Sequence, residues 1–224
     1  NKTSIKVPSG ILIVSSDHVF SARHNGVTYG SGAFVQVNGT TKSAFIVNGN
    51  EIAKINASDL EADNLFGKSV SLSADGTTLA VGAVYDSHSD AQAGSVYIYK
   101  FNGTNWNETK IIASDKAVND RFGQSVSLSA DGAILAVGAL YDAPADLVRT
   151  GSVYIYKFDG TNWDETKIIA SDKEEGDNFG HSVSLSSDGT TLAVGALYDD
   201  HSGYANAGSV YIYKFNGTNW NETK

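Results

Sequence analysis

Between Ser69 and Ser73 the chain alternates small polar residues with Val70 and Leu72, the period-two pattern of a half-buried strand. Asp75-Gly76 follows, a two-residue hairpin signal. Thr78 to Ala83 reads as a second strand, with Leu79 and Val81 on one face and Ala80 and Gly82 on the other. After a loop, Ser95 to Phe101 is rich in aromatic and β-branched residues, which suits a pleated surface. Asn102-Gly103 turns the chain again, and Glu108 to Ala113 is expected to form a fourth strand. No 3.6-residue helical period occurs in this stretch.

The whole pattern recurs. F-G-K-S-V-S-L-S-A-D-G from Phe66 returns as F-G-Q-S-V-S-L-S-A-D-G from Phe122 and as F-G-H-S-V-S-L-S-S-D-G from Phe179. A second block, G-S-V-Y-I-Y-K-F, starts at Gly94, Gly151 and Gly208. The period is 56 or 57 residues, and the slip lies between Tyr85 and Gly94, in a loop that tolerates length change. A β-solenoid has shorter coils. Four antiparallel strands at this period predict an all-β chain of β-propeller blades, each about 57 residues long. Tyr97, Tyr99 and Phe101 share one face of the third strand and suit the widening space between blades. The Ser, Gly and Ala of strands one and two suit crowded packing near an axis.

At this point the text resembles the FG-GAP repeats of integrin α-chain propellers and their bacterial relatives. Phe66-Gly67, Phe122-Gly123 and Phe179-Gly180 carry the first half of that motif. Gly82-Ala83, Gly138-Ala139 and Gly195-Ala196 carry the second, with Val84, Leu140 and Leu197 in place of its proline. The resemblance covers residues 59 to 224 and implies a propeller that is extracellular and works by binding. In the integrin version calcium sits in a longer D-x-D-x-D-G loop. Here the connection is Ser-Ala-Asp-Gly or Ser-Ser-Asp-Gly, too short to encircle an ion, so Asp75, Asp131 and Asp188 are read as turn formers.

Residues 64–118, 119–175 and 176–224 are thus three blades, and residues 1–63 an atypical β segment read as a degenerate blade. Within it Ser43 to Asp59 lines up with strands three and four, and Ile11 to Ser15 and Ala33 to Val37 are strand-like. Three blades are too few to close a ring. The third stops at Lys224, where the others continue Ile-Ile-Ala-Ser-Asp. The propeller is therefore expected to be partial or completed by a partner, with Ile5, Lys6 and Val7 as the strand-addition segment. Chance similarity of that short segment to the chain's end is an equal alternative.

Charge sharpens the picture. The chain has 25 acidic and 16 basic residues, a net charge of −9. A nucleic-acid partner is not expected, because phosphate contacts need clustered Lys and Arg. Fifteen of the acidic residues fall in the second-to-third loops and inter-blade links, which share one face of an up-and-down blade. Asp86 with Asp90, Asp142 with Asp146, and Asp199 with Asp200 offer oxygen donors of the kind calcium takes. The bland alternative is that they shape loops and accept backbone N–H bonds. The opposite face carries the sequons of Asn102, Asn107, Asn216 and Asn221, open to glycans or to turn chemistry alone.

With no Cys, disulfides, thiol catalysis and Cys-ligated metals are excluded. With no Met, Asn1 is read as a processed or cut end. The longest apolar run, Ile11 to Val14, is too short to span a bilayer. No nucleophile elbow, H-E-x-x-H or phosphate loop occurs, so no catalytic residue is assigned. His88 and His201 match in position, but Pro144 stands there in the middle copy. Trp106, Trp163 and Trp220 recur in step with the fold and are expected to pack the outer hairpin.

The first expectation is an extracellular, non-enzymatic module for adhesion or recognition of a protein or glycan ligand. The second is a fibre or filament subunit joined to further copies of itself. The third is a lectin or enzyme accessory domain.

Overall fold

The computed structural model describes residues 53–59, 61–87, 92–143, 147–200 and 203–223, and the backbone of four short strands before them. The chain divides into two compact units, Asn1–Ile55 and Asn56–Lys224. The first contains two antiparallel pairs, β1 (Arg23–His24) with β2 (Val27–Thr28) and β3 (Phe34–Val37) with β4 (Thr40–Ser43). The strand expected at Ala33 to Val37 corresponds to β3, while Ile5, Lys6, Val7 and the Ile11–Ser15 stretch lie outside the described residues.

The second unit is three four-stranded antiparallel sheets, one per repeat, in simple up-and-down order. The first holds β5 (Phe66–Leu72), β6 (Thr78–Ala83), β7 (Ser95–Phe101) and β8 (Trp106–Ile111). The second holds β9 (Phe122–Leu128), β10 (Ile134–Ala139), β11 (Ser152–Phe158) and β12 (Trp163–Ile168). The third holds β13 (Phe179–Leu185), β14 (Thr191–Ala196), β15 (Ser209–Phe215) and β16 (Trp220–Thr223). The three sheets do not close on themselves, as a partial propeller requires.

Two boundaries differ from the sequence reading. Strand one begins three residues early, at Phe66, because a bulge intervenes: Phe66 pairs Ala83, but Ser69 already pairs Gly82. Gly67 takes φ +91° inside that bulge, a backbone region that favours glycine. Strand four begins at Trp106, directly opposite Phe101, and ends at Ile111. The rings of Phe101 and Trp106 lie 5.2 Å apart, so the recurrent tryptophan packs the outer hairpin as expected.

Each sheet has a leading face toward the preceding repeat and a trailing face toward the next. Strand alternation sets the assignment. Ala80, Val96, Ile98 and Ile111 of the first sheet's trailing face pack against Phe122, Val126, Leu128, Leu135, Val137, Tyr154 and Tyr156 of the second sheet's leading face. Ala136, Val153, Ile155 and Ile168 meet Phe179, Leu192, Val194, Tyr211 and Tyr213 in the same way. Each FG phenylalanine stands edge-on to two tyrosines of its own sheet; Phe122 lies 5.4 Å from Tyr154 and 6.0 Å from Tyr156. The small residues of strands one and two are crowded at the seam between sheets. A Cβ placed on Gly82 or Gly138 would collide with the carbonyl of Gly123 or Gly180 in the next repeat.

Candidate functional site: the acidic loop face

The links between sheets and the second-to-third loops converge on one charged network per repeat. In the first, the Tyr97 hydroxyl donates to Asp59 (2.7 Å) and to Asp86 (3.0 Å). The Lys110 ammonium bridges the same two carboxylates, at 2.6 and 2.5 Å. In the second, Tyr154 donates to Asp115 (2.7 Å), and Lys167 bridges Asp115 (2.7 Å) and Asp142 (2.6 Å). In the third, Tyr211 donates to Asp172 and Asp199, each at 3.0 Å. Lys224, at the matching place, lies outside the described residues. The serine beside each linking aspartate holds the next outer strand: Ser58, Ser114 and Ser171 donate through N–H and hydroxyl to Glu108, Glu165 and Glu222.

These contacts set the local electrostatics. Burial works to raise the carboxyls of Asp59, Asp86 and Asp115, and the lysine ammonium and tyrosine hydroxyl outweigh it, so all three lie below the usual value. Burial also works to lower Lys110 and Lys167, and the flanking carboxylates outweigh that, so both lie above theirs. Asp120 is the exception. Burial, with the nearby charge of Asp142, pushes it up to about 6 despite the Ala117 N–H it accepts at 2.5 Å. Asp177 is raised for the same reasons beside Asp199. The matching residue of the first repeat is Asn64, whose amide donates to Asp86 at 3.4 Å.

Of the loop aspartates singled out from the sequence, Asp86, Asp142 and Asp199 hold structural positions at the loop bases. Asp86, Asp142 and Asp199 are buried, and their backbone carbonyls accept the N–H of Gly94, Gly151 and Gly208, closing each loop at its base. The Asp86 and Asp142 carboxylates are each paired with a lysine ammonium, at 2.5 and 2.6 Å. Among the described residues no three His, Asp or Glu side chains converge on one point. Asp200 is exposed and accepts the N–H of Asn206 at 2.6 Å. Asp90, Asp146, His88 and His201 lie outside the described residues.

The remaining turn residues behave as local chemistry demands. Asp75, Asp131 and Asp188 each accept from a serine two residues back and an N–H two residues on. On the opposite face Asn102 and Asn216 each accept the N–H groups two and three residues later, and Asp159 does the same in the middle repeat. Asn107 and Asn221 are exposed.

Sequence reasoning missed the tyrosine–aspartate–lysine network, although its members recur at fixed positions. It also missed a stack on the loop face. The Arg121 guanidinium lies 4.1 Å from the centre of the Tyr85 ring and 5.2 Å from Tyr141, and Arg149 lies 4.7 Å from Tyr141. Among the described residues it is built by the first and second repeats, so no threefold recurrence flagged it.

Three repeated antiparallel sheets with these locked loops define a β-propeller-like repeat module. The FG-GAP repeat model matches residues 50–99, 106–156 and 163–213, more than half of the chain, so the chain belongs to the FG-GAP repeat family. The second and third matches start at the outer strand of one sheet and end in the third strand of the next, so the family unit spans a junction. No curated protein matches the chain. Among solved structures, the crystal structure of Saccharomyces cerevisiae Sqt1 is similar at 11% identity and a TM-score of 0.42, over 73% of this chain and 36% of that one. The chain thus spans about a third of the length of that protein.

Proposed function

We propose that this chain is a non-catalytic recognition module that binds an extracellular protein or glycan through the tips of its second-to-third loops. The observation that carries this reading is the contrast between loop base and loop tip. Every base is closed by the same backbone bond from glycine to the buried loop aspartate, which a tyrosine hydroxyl also holds in the first and third repeats and Lys167 holds in the second. The tips, residues 87–93, 143–150 and 200–207, vary: the first and third share His-Ser and Ala-x-Ala but differ in length and in Tyr204, and the middle one, with Pro144 and Arg149, matches neither. Variable loops on a rigid frame are a common binding arrangement. The same loops expose Val148, Tyr198 and Tyr204, with Tyr204 74% exposed, and carry the Arg121 and Arg149 stack. Exposed tyrosine and arginine are the side chains most often at the centre of binding surfaces. FG-GAP repeats occur in extracellular and surface proteins, which supports that location.

Glycan and extracellular-protein arrays probed with the parent, Tyr204→Ala and Val148→Ser test the reading. A defined set of positives that weakens at least about tenfold in Tyr204→Ala is expected, the loss of about one hot-spot residue. No binding on either array, or binding that neither substitution changes, overturns it.

A further inference from the structure

The loop bases of the three repeats are not equally satisfied. Asp86 accepts from the Tyr97 hydroxyl (3.0 Å), the Asn64 amide (3.4 Å) and the Lys110 ammonium (2.5 Å). Asp199 accepts from the hydroxyls of Tyr211 and Ser209. Asp142 is equally buried, yet among the described residues its carboxylate is held by Lys167 alone. The Tyr154 hydroxyl goes to Asp115 instead. The place of Asn64 is taken by Asp120, whose ionised carboxyl has no hydrogen to donate. Ser152, the counterpart of Ser209, is fully buried, and its hydroxyl has no hydrogen-bond partner among the described residues. The Ser95 hydroxyl is unpaired too, so the second repeat stands apart through the shortage at its carboxylate.

A cavity of about 390 Å³ lies at this place. Its polar wall is Asp115, Asp142, Ser152 and Lys167. Its apolar wall is Ala117, Ala143 and Ile169. The volume falls in the range of small-molecule sites and far exceeds the roughly 30 Å³ of one water. The polar wall selects against simple ions. A cation would meet the Lys167 ammonium, and an anion would meet the two carboxylates. A hydroxyl group suits both, because it donates to a carboxylate and accepts from an ammonium, and the Ser152 hydroxyl meets it in either sense. A compact frame with neighbouring hydroxyls on one side and C–H groups on the other matches the polar and apolar walls together. In the third repeat Ser209 and Asp199 satisfy each other, so the same demand does not arise there.

We infer that this cavity is a binding site for a monosaccharide of the hexopyranose class. Neighbouring ring hydroxyls donate to Asp142 and accept from Lys167 and Ser152, and ring C–H groups lie against Ala117 and Ile169. The ligand supplies the donor that Tyr97 and Asn64 supply to Asp86 in the first repeat. The site lies at the loop base, so it goes beyond the reading of the loop tips and does not depend on it.

Saturation-transfer difference NMR on the full chain is the measurement, with D-glucose, D-galactose, D-mannose and N-acetyl-D-glucosamine each titrated in turn. At least one of these sugars is expected to give a saturable signal with the parent. Ser152→Ala removes a hydroxyl that no other described residue bonds, so the variant keeps the parent's melting behaviour. Its affinity is expected to fall about fivefold, the loss of one hydrogen bond. Ala117 is exposed at the edge of the cavity, so Ala117→Leu fills the space without entering the core, and the signal is expected to vanish. Ser209→Ala, the matching change in the third repeat, is expected to keep the parent's affinity. No saturable signal with any of the sugars overturns the inference and leaves the cavity to solvent. So does a parent-like affinity in either Ser152→Ala or Ala117→Leu. An equal loss in Ser209→Ala places the sugar elsewhere and also overturns it. Where Ala117→Leu shifts the melt, Ser152→Ala decides.

Discussion

The seam between neighbouring sheets occurs twice and the outer hairpin turn three times, each repeated for a different physical reason. At the seam, Gly138 faces the backbone carbonyl of Gly180 so closely that no side chain fits. At the outer turn, Asn102 and Asn216 give way to Asp159 with the same pair of bonds intact. The seam is fixed by what lies across it, and the turn by its own backbone. Repetition therefore carries two kinds of information, and substitution separates them.

Gly138→Ala is the largest break. Its added methyl has no space unless the second and third sheets move apart, and backbone cannot rotate away as a side chain can. A loss of about 3–5 kcal/mol is expected in denaturant unfolding, the range of a severe core clash. Gly195→Ala is the control within the comparison. Its methyl meets the Ser182 hydroxyl at 2.5 Å, and that side chain can turn to another rotamer. A loss under about 1 kcal/mol is expected. Equal losses at the two positions would show that the glycines are held by something other than the neighbouring sheet.

Much of this difference was legible in the sequence. Alternation and Asp-Gly signals located the strands and hairpins, because both depend on residues close in the chain. The small-residue face of β6 was visible too, but not its purpose, because the colliding carbonyl belongs to a residue some forty positions later. The acidic loop face was legible as a concentration of charge. Its internal neutralisation was not: Lys110 and Lys167 lie on the outer strand and reach loop aspartates through the fold, so counting charges by loop left them out.

Between seam and turn lies the loop base, where Asn64 of the first repeat is replaced by Asp120 in the second. Asp120→Asn copies the first repeat's solution. The Asp120 carboxyl is raised to about 6 by burial and by the Asp142 charge, against an ordinary value near 4. With a folded value above the unfolded one, its contribution to stability is fully present below about pH 4 and is lost as pH rises through about 6. At pH 7 the ionised group is therefore a burden that the amide does not carry. An Asn oxygen still accepts the Ala117 N–H. Allowing for solvent screening, the substitution is expected to add about 1–2 kcal/mol at pH 7. It should also flatten the part of the stability profile between pH 4 and 6. Thermal melts of parent and variant at pH 4 and 7 check this; a gain of equal size at both pH values would remove ionisation as the cause.

The smallest effect is expected at the outer turn. Asn102→Asp converts the first repeat's turn to the second's, in which Asp159 accepts the N–H groups of Thr161 and Asn162, both at 2.7 Å. Those N–H groups, Asn162 first, hold the Asp159 carboxyl below its usual value, so at neutral pH the replacement is an ionised acceptor in the same geometry. A melting temperature within about 2 °C of the parent is expected at pH 7, as for an exposed site away from packing. With a folded value below the unfolded one, any benefit is present above about pH 4 and is lost as pH falls further. The same substitution removes the Asn102 sequon. Protein from a secreting eukaryotic host, weighed intact before and after, then separates the two uses of this asparagine. An unchanged melt with a lost glycan mass gives the residue a second role beyond its turn. An unchanged melt and no mass beyond the substitution itself leaves backbone geometry as the whole reason for Asn or Asp at this position. A large drop in melting temperature would instead place the turn under the same cross-sheet constraint as the seam, and the distinction between the two regions would fail.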